Sequence, residues 1–67
     1  MQITDRMRRL VEEAAKQLSS KRNQVPLGPE MPQFFVAVDR NSAPANATEL
    51  TEVTIDGRRV YVYIASE

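Results

Sequence analysis

The side chains able to do covalent or acid–base chemistry in this chain are few. Histidine and cysteine are both missing from its 67 residues. That removes the commonest general acid–base group, the thiolate nucleophile, the zinc–thiolate site and the commonest metal ligand. What remains is four serines (Ser19, Ser20, Ser42 and Ser66), the carboxylates and the cationic side chains. No serine stands in a Gly-x-Ser-x-Gly setting or beside a base that would take its proton. The two glycines, Gly28 and Gly57, do not form a phosphate-cradling loop. The carboxylates are not paired on an apolar stripe, where burial would raise one of them to general-acid strength. Asp39-Arg40-Asn41-Ser42 lacks the alternating oxygens and closing glutamate of a calcium loop, so it reads as a turn. The sequence thus predicts no catalysis, no metal and no cofactor.

Binding chemistry is better represented. Arg6, Arg8 and Arg9 crowd the start of the chain, where they could meet an anion or an acidic partner. Asp5, Glu12 and Glu13 stand close enough to neutralise them on a solvated face. Arg58 and Arg59 follow Asp56-Gly57. Of the four aromatic residues, Phe35, Tyr61 and Tyr63 fall at positions that one sheet face can share. Overall the nine cationic residues balance the nine acidic ones, which disfavours a dedicated nucleic-acid binder, whose affinity comes largely from phosphate contacts.

The elements that must position these residues follow from periodicity. Ile3, Met7, Leu10, Val11, Ala14 and Leu18 make one helical stripe, with Thr4 as N-cap and Asp5 in the first turn. The pattern predicts a helix over 3–20, with Arg8–Glu12, Arg9–Glu13 and Glu12–Lys16 as pairs four apart. Residues 21–33 hold three prolines and a glycine and read as a connector, with Val25 and Leu27 pinning it to the core. Strands are expected at 34–39, 50–55 and 59–65. The last two flank Asp56-Gly57, the strongest short hairpin signal. Loops of two or four residues both put Val53, Val60, Val62 and Ile64 on one face and Glu52, Thr54, Tyr61 and Tyr63 on the other.

The expected fold is therefore α+β: a single domain with one N-terminal amphipathic helix packed on a three-stranded antiparallel sheet, in the order α-β-β-β. One helix covers one sheet face. On that reasoning Phe35, Tyr61 and Tyr63 project from the bare face, with Arg58 and Arg59 at the rim. The functional expectation is a non-catalytic protein–protein interaction module, an accessory, regulatory or inhibitor protein of bacterial or phage type, binding a larger protein through that aromatic face. Two alternatives stay open: a structural homodimer using the same face, and an RNA- or DNA-binding module using the arginines and sheet aromatics. The amphipathic, charged start has no secretory h-region, and no apolar run is long enough to span a membrane, so a cytoplasmic location is expected.

Overall fold

The computed structural model describes residues 4–19 and 21–65. Expectations resting on Ile3, Ser20 and Ser66 lie outside those residues. The helix α1 runs Asp5–Ala15. Thr4 caps it as expected: its backbone is extended and its Oγ1 accepts the N–H of Met7 at 3.1 Å. Val11, Ala14 and Ala15 are buried and Met7 and Leu10 half-buried, which is the core stripe. The helix is shorter than 3–20 because the chain tightens after Ala15. The N–H groups of Gln17 and Leu18 bond carbonyls three residues back, at 3.0 and 3.1 Å, which is 3₁₀ spacing. Ser19 and Arg22 then exchange two backbone hydrogen bonds, both 3.0 Å, and reverse the chain. Of the expected helix pairs, Arg8–Glu12 forms at 3.4 Å, whereas Lys16 reaches Glu13 at 3.3 Å instead of Glu12.

The class is α+β, but the sheet has four strands rather than three. They are β1 (Gln24–Pro26), β2 (Phe34–Ala37), β3 (Ala47–Ile55) and β4 (Arg58–Ala65). All neighbours are antiparallel, in the order β1-β2-β4-β3. The added strand lies in the proline-rich connector. Leu27 donates to the Phe34 carbonyl at 2.9 Å and Val38 to the Asn23 carbonyl at 3.0 Å. By the alternation of an antiparallel ladder, Val25 also faces β2, and Gln24 and Pro26 point to the open edge. Pro26 therefore has no donor to lose, the setting in which proline is tolerated in a sheet.

Two features of the β3–β4 hairpin set its faces. Ile55 pairs with Arg58, so the loop has two residues. Asp56 and Gly57 have φ of +52° and +77°, the two successive left-handed residues of a type I′ turn. Farther along, Glu49 opposes Tyr63 while Thr51 opposes Val62, so Leu50 is the extra residue of a β-bulge. Without that bulge Glu49 and Glu52 would face opposite sides, because strand side chains alternate. With it, both share the face of Tyr61 and Tyr63.

The connection from β2 to β3 is the element that most alters the expected architecture. Both strands run antiparallel to β4, which lies between them, so they are parallel to each other. Residues 38–46 must therefore travel back along the sheet before β3 can begin. They do so around one 3₁₀ turn, Arg40–Ser42, capped by the Asp39 carboxylate, which accepts the Ser42 N–H at 2.9 Å. α1 packs over β1 and β2 on the other side. There Val11, Leu18, Val25, Val36, Val60 and Val62 are the centre of the core. Among the described residues no helix is long and apolar enough to cross a membrane.

Candidate functional site

The aromatic face is built by register. Phe35 opposes Tyr63, Ala37 opposes Tyr61, Glu49 opposes Tyr63 and Glu52 opposes Tyr61. The three rings thus share one side of the sheet, as the alternation predicts. That side is not bare, however. Arg40, on the crossover, places its guanidinium carbon 4.9 Å from the centre of the Tyr61 ring, a cation–π distance. Its Nε donates to Glu49 Oε1 at 2.8 Å and its Nη2 to Glu49 Oε2 at 3.3 Å, a two-point fork on one carboxylate. The same Nη2 lies 3.8 Å from Glu52 Oε2, and Arg59 approaches that oxygen from the hairpin at 3.9 Å. The hydroxyl of Tyr63 donates to Glu49 Oε1 at 3.2 Å.

The expectation that all three rings face solvent is therefore corrected. Tyr63 is only 5% exposed, and Tyr61 and Phe35 are half-buried. The expectation counted the helix as the only available cover. A parallel crossover is a second one, and it runs over the face that the helix leaves open.

The electrostatics of this cluster move both titrations away from neutral pH, in opposite directions. The Arg40 hydrogen bond, helped by its charge and by the Tyr63 hydroxyl, draws Glu49 below the ordinary glutamate range. Burial, and then the neighbouring Glu49 charge, push Tyr63 above the ordinary tyrosine value. Near neutral pH the carboxylate stays charged and the phenol keeps its proton. This arrangement ties the crossover to the sheet. It does not poise a group for proton transfer, which works best with a pKa near the operating pH.

The other sequence-picked residues are scattered. Arg58 and Arg59 are adjacent in the chain but part company on the strand. Arg59 joins Glu52 on the aromatic side, while Arg58 lines a cleft on the helix side. The Arg6, Arg8 and Arg9 cluster is divided too: Arg6 pairs with Glu30 and Arg8 with Glu12, while Arg9 is exposed. Sequence reasoning placed Arg40 in a turn and Lys16 in a helix ion pair, and did not single out Glu49, so the roles of all three in these surfaces were missed. Arg40 and Glu49 were hidden because the crossover and the bulge that bring them together leave no local pattern. Among the described residues no cluster of acidic side chains could hold a metal ion.

One further feature distinguishes the sheet. Its two edges differ. β1 is three residues long and carries Pro26, whereas β3 is nine residues long and, among the described residues, has no partner beyond β4. The two-residue loop makes Ile55 and Arg58 hydrogen-bonded partners, so the N–H and C=O of Thr54 and Glu52 point outward from the sheet. No family model, curated protein or solved structure matches this chain.

Proposed function

We propose that the chain is a non-catalytic protein-binding domain that receives an extended segment of its partner along β3. The observation that carries this reading is the outer edge of β3, which has no neighbouring strand among the described residues and whose outward Glu52 carbonyl meets only the Thr51 hydroxyl, at 3.3 Å. A row of unpaired backbone donors and acceptors is a template for another strand, and domains of this kind commonly bind peptides by adding one. The opposite edge cannot serve equally, because Pro26 offers no N–H there.

The outward N–H of Thr54 supplies the test. Proline is tolerated at an outward edge position, so Thr54→Pro removes the donor and leaves the β4 ladder in place. Immobilised wild type and Thr54→Pro would be compared for proteins retained from an extract of the native host, with circular dichroism of both. The expected result is a protein held by the wild type and lost by a folded Thr54→Pro. Equal retention by the two would overturn the reading. Sedimentation of the purified chain completes the experiment: a dimer that Thr54→Pro dissolves identifies the added strand as a second copy.

A further inference from the structure

A cleft of about 240 Å³ opens where the end of α1 meets the β3–β4 turn, lined by Ala15, Leu18, Ile55 and Val60 below and by Lys16, Asp56 and Arg58 at its mouth. Drug-sized ligands occupy pockets of roughly 300–1,000 Å³ and an apolar cavity of about 150 Å³ holds a benzene, so this one has room for one large apolar side chain. Its floor is apolar: Val60 is fully buried, Leu18 and Ala15 nearly so, and Ile55 is half-open. The mouth carries two cations and one anion. Lys16 shares its charge with Glu13 at 3.3 Å, while Arg58 has no ion pair among the described residues. The cleft is thus an apolar hole whose mouth holds one cation, Arg58, without an ion pair among the described residues. It also adjoins the open strand, since Ile55 ends β3 and lines the cleft. A segment laid along β3 turns every second side chain toward this side of the sheet.

We infer that this cleft receives one apolar side chain of a partner segment whose flanking residues are acidic. The inference rests on the protein-binding reading and names the chemistry of the partner. The added strand supplies affinity through its backbone; the cleft and its cations choose which strand is accepted.

The test is selection of binders from a display library of random short peptides, with dissociation constants measured for the enriched sequences. Four folded variants follow: Arg58→Glu and Lys16→Gln at the cleft, Arg9→Glu on the exposed side of α1 as a control with the same charge change outside it, and Thr54→Pro at the edge. The melting curve of each confirms that it folds. The expected result is enrichment of acidic peptides with a single apolar anchor. Arg58→Glu should weaken their binding about tenfold or more, Lys16→Gln less so, and Arg9→Glu little. Enriched peptides that lack an acidic bias yet depend on Thr54 would overturn the inference while leaving the strand-addition reading standing. Acidic peptides that depend on Arg58 but not on Thr54 would support the cleft and overturn strand addition. Equal weakening by Arg58→Glu and Arg9→Glu would reduce the effect to net charge and end the inference. Enrichment of no peptide class would end both.

Discussion

The guanidinium of Arg40 forks onto both oxygens of Glu49, nine residues along the chain, at 2.8 and 3.3 Å. This pair joins the crossover to the bulged stretch of β3 across the aromatic side of β4. The bulge at Leu50 makes the meeting possible by turning Glu49 to the side where Glu52 already lies. A short loop, a strand irregularity and one arginine together close a face that a single helix cannot reach.

Removing the fork should loosen the crossover without unfolding the core. Arg40→Lys retains the charge but offers a single point of contact in place of a planar fork. The expected outcome is faster hydrogen exchange at the amides of residues 40–46 and greater acrylamide quenching of tyrosine fluorescence, with the α1 amides unchanged. Quenching equal to that of the wild type would show that Tyr63 is covered by other means.

The acid side of the stability profile should carry the mark of Glu49. Its folded-state pKa is drawn down by Arg40, so its contribution is complete above the unfolded value of about 4.3 and is lost as the pH falls through the lower folded value. Urea denaturation of wild type and Glu49→Gln between neutral and acid pH checks this. The two stabilities should converge on acidification, and a constant gap between them would contradict the assignment.

On the alkaline side Tyr63 should ionise late. Burial and the Glu49 charge favour its neutral form, so absorbance titration of Tyr61→Phe, which isolates Tyr63, should give a midpoint above the ordinary value of about 10. Adding Glu49→Gln should lower that midpoint. Because the folded-state value is the higher one, this group's contribution to stability is present below about pH 10 and lost as the pH rises through the folded value.

Gly57 should be costly to replace for a backbone reason alone. A Cβ there meets nothing within 4 Å, yet φ is +77°. Gly57→Ala is expected to cost about 1–2 kcal/mol in urea denaturation, the penalty of a left-handed L-residue. Gly57→Asn should cost less, since asparagine tolerates that region.

Val62 lies on the central strand β4 and is fully buried in the core cluster that includes Val11 of α1. Val62→Ala removes two methyl groups and should destabilise the fold by about 2 kcal/mol. In a domain this small that is a large share of the total.

Much of the frame was legible because its signals are local. Thr4 before the Met7–Leu10–Val11–Ala14 stripe marked the helix start, and Asp56-Gly57 between alternating valines marked the hairpin and its faces. β1 lies in the two-residue spacing of Val25 and Leu27, but prolines that argue against a long helix or a central strand make the segment read as a connector, and β1 is an edge strand, where proline is allowed. The cover over Tyr63 was illegible for a different reason. Whether residues 38–46 turn back beside β2 or cross over β4 depends on which strand β2 chooses as its neighbour, and no stretch of sequence encodes that choice by itself. The same holds for the Arg58 and Arg59 pair, whose separation to opposite sides follows from strand alternation once β4 is seen to begin at Arg58.

The proline at the rim of β1 gives the molecule a polarity. A ribbon able to accept a neighbour on both flanks can add copies without limit, whereas this one can grow on one side only. Two chains that join through their open flanks leave only blunted ones outside. Self-association by that route ends at a closed pair and does not propagate into a fibre.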